Sequence, residues 1–304
     1  MAFVAVLKLF RFPLVFTAVA DSAAGYLIAR GADASWPVLG LLAAASGGLY
    51  CFGMAMNDVA DLERDRGLYP NRVLPSGRLT RNRGIAAAIG ALALSGVAVA
   101  AVPDAPLTRL GIWGGVVFLI LAYDFFLKHP PVMGLIRAFN VLLGVTCAGF
   151  LWGKRTGAAP PGLVLAGASF LYVTALTAVS TFEDRAEAGM GRTAGLGAGL
   201  LLMILAALVP AAGWPVWKGI PVRVEAVVAG ALLAGWIGVR AGRILVGQSP
   251  AAIRLLVRDG VAGIIVLDAS MVLACGHTGP GLAVAALLIP AVLAVWGFKK
   301  LRPP

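Results

Sequence analysis

The sequence predicts an all-α fold: a polytopic membrane helix bundle of nine or ten transmembrane helices. Three observations carry that expectation. The 304 residues are 60% hydrophobic and only 13% charged, with a mean hydropathy of +0.91, whereas soluble chains average about 45–50% apolar and about 25% charged. The apolar residues fall in runs of roughly 20, the length that crosses a bilayer as a helix. Lys and Arg collect between those runs rather than on one solvated face. So few charges do not cover a soluble surface, and so much apolar character excludes intrinsic disorder. Cys51, Cys147 and Cys275 are scattered without paired spacing, which excludes a disulfide scaffold; they read as small buried hydrophobes.

Taken in order, the spans are expected near residues 12–29, 36–56, 84–102, 107–126, 133–152, 162–180, 194–212, 224–240, 259–276 and 280–298. The first and ninth are the weaker assignments because they contain Asp21 and Asp268. Gly276-His277-Thr278-Gly279-Pro280-Gly281 separates the last two, since Gly and Pro punctuate helices. The start MAFVAVLKLFRFP has no small-residue cleavage site after a compact apolar core, so the N-terminus is expected to enter the membrane as the first span. The whole chain, 1–304, is expected to form a single integral-membrane domain.

With the N-terminus in the cytoplasm, nineteen of the 25 Lys and Arg residues fall on the cytoplasmic side and six, Arg30, Arg109, Lys154, Arg155, Lys218 and Arg223, on the other. That bias is the positive-inside pattern, and an even number of spans keeps Lys299 and Lys300 inside. Topology therefore accounts for most of the net charge of +11, and no nucleic-acid partner is required. The expected location is the cell membrane, multi-pass. Glycine is abundant, at 39 residues; spacings such as Gly111/Gly115 and Gly195/Gly199 suit close helix approach.

Two acidic clusters stand out, each leaving an even-numbered span on the same expected face. In the first, Asn57, Asp61 and Asp65 are four apart and stack on one side of a helix, while Asp58 and Glu63 lie on others. Oxygen donors stacked this way repel one another without a cation, and hard oxygen ligands suit Mg²⁺. In the second, Glu183 and Glu187 are again four apart, beside Asp184. A single charged loop is most simply a solvated loop; two with matched spacing on one face favour a site. Basic residues follow: Arg72, Arg78, Arg81 and Arg83 after the first, Lys128 and Arg137 around the next cytoplasmic loop, Arg192 after the second. Arg and Lys beside bound Mg²⁺ suit a diphosphate. Arg81, Arg83 and the 240–258 group read as membrane anchors, whereas Arg72, Lys128 and Arg137, next to Asn71, Tyr123 and Asn140, read as functional.

These residues resemble the UbiA superfamily of intramembrane prenyltransferases. Its first signature, Asn-x3-Asp-x3-Asp followed by an Arg-Pro-Leu-like segment, matches NDVADLERD and NRVLPSGRLT, and the likeness extends to YDFFLK (123–128) and GLIRAFNVLLG (134–144). The family's second signature is Asp-x3-Asp, where this chain has Glu183-x3-Glu187 before Gly191-Arg192-Thr193, and its Tyr/Lys spacing is stretched here. In these departures the chain is similar to EboC-like proteins, a divergent branch. The resemblance implies a central cavity within the bundle, with the metal sites at its cytoplasmic end. It implies transfer of a prenyl group from an allylic prenyl diphosphate to an aromatic or lipid-like acceptor. It further implies one Mg²⁺ at Asn57, Asp61 and Asp65 and a second at Glu183 and Glu187. Arg72, Lys128, Arg137 and Arg192 would hold the diphosphate, and Tyr123 and Asn140 would stabilise the allylic cation or orient the acceptor. Tyr123 reads equally well as an interfacial aromatic.

Charges inside a membrane are expensive. Asp21 is placed at the cavity and Asp268 as structural, with pairing to a neighbouring helix open for both. His129 and His277 lack ligand-spaced partners, so no zinc site is assigned. Two other functions stay open: a transporter or catalytically silent membrane partner on the same fold, which the altered second motif favours, and a terpene cyclase-like activity.

Overall fold

Apolar runs interrupted by Pro, Gly and charge fold as helices because a bilayer leaves no other way to satisfy backbone N–H and C=O groups. The computed structural model describes residues 2–103, 106–147, 161–183, 190–212, 223–247 and 249–300, and all regular structure among them is helical. In chain order the helices are α1 (Ala2–Leu9), α2 (Val15–Arg30), α3 (Trp36–Ala60), α4 (Leu62–Leu68), α5 (Arg81–Ala101), α6 (Pro106–Phe125), α7 (Pro130–Cys147), α8 (Pro161–Ser180), α9 (Met190–Leu208), α10 (Val224–Gly247), α11 (Pro250–Ala274), α12 (Thr278–Ala285) and α13 (Leu288–Lys300). Nine segments among the described residues are long and apolar enough to cross a membrane.

The expected ninth span is α11. It is 25 residues long, about 37 Å at 1.5 Å per residue, which exceeds the ~30 Å hydrocarbon core. Its charges, Arg254, Arg258, Asp259 and Asp268, set it apart from the other nine. It packs against α10, α2, α8 and α12, so it runs inside the bundle as a tenth helix of spanning length. The expected tenth span is broken: α12 ends at Ala285 and α13 begins at Leu288, with Pro290 in the first turn of α13, where its missing N–H costs nothing.

Helix ends and crossings follow from particular residues. Arg109 is almost fully buried; its guanidinium donates to the carbonyls of Val99 (3.0 Å), Val102 (2.5 Å) and Pro103 (3.2 Å) at the end of α5. A cation on the last carbonyls of a helix is favourable, so Arg109 is a cap rather than a loop charge. The α2–α7 crossing needs glycine on both sides. A Cβ at Gly144 would run into the Ser22 carbonyl, and one at Gly25 into that of Val141. Of the glycines expected at crossings, Gly195 and Gly199 do abut Phe182 and Val179, and Gly115 abuts Phe139, while Gly111 meets nothing. Cys51 and Cys147 are buried and all three cysteines are free.

Candidate active site

Six helices, α2, α3, α6, α7, α8 and α11, enclose a cavity of about 250 Å³. Asn57, Tyr123, Arg137 and Asn140 line it, as do Arg11, Tyr50 and Asp124. Most of the remaining wall is apolar, with Leu49, Met54, Ile120, Met133, Ile136, Leu176 and Val261 among its side chains.

At one end of the cavity the first motif is built by a helix that bends without losing register. Asp61, between α3 and α4, has φ −88° and ψ 3°, yet its N–H donates to Asn57 O (2.9 Å) and the Asp65 N–H donates to Asp61 O (2.8 Å). These i→i−4 bonds keep Asn57, Asp61 and Asp65 stacked. Asp58, Asp61 and Asp65 are all buried, and each carboxylate has a cation. Arg11 Nη2 lies 3.0 Å from Asp58 Oδ1, Lys128 Nζ bonds Asp61 Oδ1, and Arg72 Nη1 bonds Asp65 Oδ2. Arg64 adds Nη2 contacts to Asp61 (3.2 Å) and Asp65 (3.9 Å). Buried carboxylates need such partners, because desolvation of an unpaired one costs several kcal/mol.

The partners come from three separate places in the chain: the entrance to α2, the segment after α4, and the α6–α7 loop. Arg72 also lies over the Tyr69 ring, 4.3 Å from its centroid. Arg11 is the residue sequence reasoning missed. It adopts left-handed φ 46°, ψ 45°, which costs a non-glycine residue on the order of 1–2 kcal/mol. That turn ends α1 and starts the short 3₁₀ turn Phe12–Leu14. A signal for it was present: Arg followed by Phe-Pro at the start of a span, where proline marks a new helix. Asp124, inside the YDFFLK segment, was also passed over. It is buried, lines the cavity, and its Oδ2 has no hydrogen-bond partner.

The second cluster is only partly described. Ser180, at the end of α8, lines the same cavity as Asn57 at the end of α3. Glu183 follows three residues later, its N–H donating to Ser180 O (3.0 Å). Asp184 and Glu187 lie outside the described residues. Arg192, on α9, is buried and donates from Nη2 to Phe182 O (3.2 Å), tying the start of α9 to the segment that carries Glu183. Among the described residues no three His, Cys, Asp or Glu side chains converge as metal ligands do; the first-motif carboxylates face Lys128, Arg72 and Arg11 instead.

Deeper in the cavity the polar groups form a second set. Arg137, expected to hold the diphosphate, pairs instead with the deeper set: its Nη1 lies 3.1 Å from Asp21 Oδ2, whereas the first-motif carboxylates pair with Arg11, Arg64, Arg72 and Lys128. The Asn140 amide donates to Ala18 O (2.7 Å) and Asp21 Oδ2 (3.2 Å), and its Oδ1 accepts from Ser46 Oγ (2.7 Å). The reverse amide orientation would set a carbonyl against the Ala18 carbonyl, so the network fixes it. Asp268 of α11, fully buried, adjoins Asp21. Both intramembrane acids thus sit in one cluster, with Asp21 fully buried behind Arg137 and Asn140 rather than in the cavity wall where it was expected. Ser46 precedes Asn57 by eleven residues on α3, so this set lies roughly 16 Å along the helix from the first motif.

Residues 18–258 of the sequence match the UbiA prenyltransferase family. The chain belongs to that family. Solved UbiA structures share the fold. A UbiA homolog from Aeropyrum pernix K1, in its apo form, superposes with a TM-score of 0.65 at 20% identity, over 85% of this chain and 97% of the other. A UbiA homolog from Archaeoglobus fulgidus, bound to GPP and Mg²⁺, gives 0.62 at 18% identity, over 92% and 99%. A structure from work on digeranylgeranylglyceryl phosphate synthase in membranes gives 0.63 at 18% identity, over 90% and 98%. No curated protein matches the sequence.

Proposed function

We propose that this UbiA-family chain is a Mg²⁺-dependent prenyltransferase, moving a prenyl group from an allylic prenyl diphosphate to an aromatic or lipid-like acceptor within the membrane. The observation that carries the reading is a mostly apolar cavity lined by Asn57 and Arg11, beside the helix turn where three buried carboxylates, Asp58, Asp61 and Asp65, are held by cations. The donor set at that end fits Mg²⁺. Asn57, Asp61 and Asp65 offer hard oxygens, and Asp65 Oδ1 is buried without a hydrogen-bond partner. Glu183 and Glu187 are the candidates for a second ion. The metal, when bound, supplies positive charge that neutralises the departing diphosphate.

The chain's own residues do the rest. Arg11, Arg72 and Lys128 are held at the carboxylates in this structure, and a diphosphate gives them phosphate oxygens as partners instead. Charge-assisted hydrogen bonds from these cations strengthen as the C–O bond breaks and negative charge grows on the leaving group. Arg192, on the second-motif side, is a further candidate. The allylic cation left behind is exposed to the face of Tyr123 and to apolar side chains that exclude water. The acceptor then forms the new bond to the cationic carbon and loses its proton to the released diphosphate. The positive-inside distribution of basic residues around these motifs supports a cytoplasmic position for that end, with the N-terminus inside and the rest of the chamber in the bilayer.

The test uses protein purified in detergent and labelled prenyl diphosphates of several lengths, with and without Mg²⁺. Diphosphate release is expected to require Mg²⁺ and to fall about a hundredfold or more in Asp61→Ala and Asp65→Ala. Release that ignores both substitutions rules out the assigned site.

A further inference from the structure

We infer that the buried Asp21–Arg137–Asn140–Ser46 set is the acceptor's head-group site, and that Asp21 makes it select an uncharged, hydroxyl-bearing acceptor over a carboxylate. The inference rests on the prenyltransferase reading for the word acceptor, though not for the binding it describes. Arg137 lines the cavity with its side chain about one-tenth exposed, and its Nη1 is 3.1 Å from Asp21 Oδ2. One carboxylate occupies only part of a five-donor guanidinium, so donors remain for a ligand. The Asn140 amide spends both N–H groups on Ala18 O and Asp21 Oδ2. Ser46 Oγ donates to Asn140 Oδ1, which leaves its lone pairs free to accept. A hydroxyl group accepts from Arg137 and donates to Ser46, using both.

Charge decides against an anion. Arg137 supplies one positive charge and Asp21 balances it, with Asp268 of α11 adjoining Asp21. Asp21 Oδ2 accepts from both Arg137 and Asn140, which suits a carboxylate; with Asp21 ionised, the cluster is neutral if Asp268 keeps its proton and negative if it loses it. Neither state offers net positive charge to a carboxylate entering a dry chamber, where an unpaired charge is costly. The walls from α8 and α11 present Val173, Leu176, Val257, Val261 and Ile264 to the cavity, which suit the isoprenoid chain. Asp21 acts through Arg137, so it is a positioning residue. The close α2–α7 crossing at Gly25 and Gly144 brings it there.

The experiment measures binding to the purified full-length protein by calorimetry, using 4-hydroxybenzyl alcohol, 4-hydroxybenzoate and, separately, geranyl diphosphate with Mg²⁺. The wild type is expected to bind the alcohol at least about tenfold tighter than the benzoate, and Asp21→Asn to erase or invert that preference. Asp21→Glu, which keeps the charge, is expected to restore it. In Arg137→Gln the alcohol is expected to weaken about tenfold while geranyl diphosphate stays within about twofold. This variant also keeps the idea testable should Asp21→Asn fail to fold. Four results would overturn it: a benzoate preference in the wild type, an unchanged ratio in Asp21→Asn, loss of geranyl diphosphate but not of the alcohol in Arg137→Gln, or no aromatic binding in either wild type or Asp21→Asn. Failure of geranyl diphosphate to bind, with the Asp21 effect intact, would refute the prenyltransferase reading and leave this site standing.

Discussion

Arg11, Lys128 and Arg72 each hold one buried carboxylate of the first motif, with Arg64 shared between Asp61 and Asp65, and that pairing shapes what substitutions should do. Removing a cation leaves its carboxylate buried and uncompensated, so Arg11→Ala is expected to cost stability as well as diphosphate affinity. Breaking a buried pair costs about 3–5 kcal/mol, less where one partner is as accessible as Arg11. Arg11→Lys keeps the charge but not the fork geometry and should retain the folded state while raising KM for the prenyl diphosphate. Thermal unfolding in detergent alongside steady-state kinetics separates the two effects; equal kinetics in Arg11→Ala and wild type would remove Arg11 from the site. Most members of this cluster were legible in the sequence, but their pairing with one another was not. The four-residue spacing of Asn57, Asp61 and Asp65 survives the bend at Asp61, and Lys128 and Arg72 were singled out by their neighbours. Arg11 and Asp124 were not, because a span boundary offers many Arg residues and topology alone explains them. What distinguishes Arg11 is a left-handed backbone turn, which no spacing rule reveals.

At the scale of single helices, the α2–α7 contact is the joint on which the deeper polar set depends. Gly144 faces the Ser22 carbonyl with no room for a methyl group, whereas Gly111 on α6 has nothing near it. Gly144→Ala is therefore expected to push α2 away from α7, lowering stability by about 1–3 kcal/mol and loosening the Asp21–Arg137 pair. Gly111→Ala should be neutral or slightly stabilising. A matched pair of melting curves checks this, and similar destabilisation by both would contradict it. Sequence reasoning found helix existence and approximate bounds, since composition and period decide those. It did not find which glycines meet backbone: Gly111 and Gly25 look alike until the crossing partners are known. The α12–α13 break is another case, because a 20-residue apolar run reads as one helix. So is Arg109, counted as a loop charge and found capping α5.

For the molecule as a whole, the nine apolar spans among the described residues, together with α11, place the end of α3, the entrance to α2 and the α6–α7 loop together, as alternating spans require. Glu63 lies at that end with an exposed side chain, and Arg30 ends α2 at the other. With Cys51, Cys147 and Cys275 replaced by Ala, a Glu63→Cys variant should react with a membrane-impermeant thiol reagent only after cells are opened. An Arg30→Cys variant should react from outside. The reverse pattern would invert the proposed orientation, which rests on the Lys and Arg distribution.

The central claim, that divalent cations at the first motif let diphosphate leave an isoprenoid inside the bundle, is tested most directly by Mg²⁺-dependent release of labelled diphosphate from purified wild type and Asp65→Ala. The account expects release that needs the metal and the Asp65 carboxylate together. Metal-independent release, or full activity in Asp65→Ala, would contradict it.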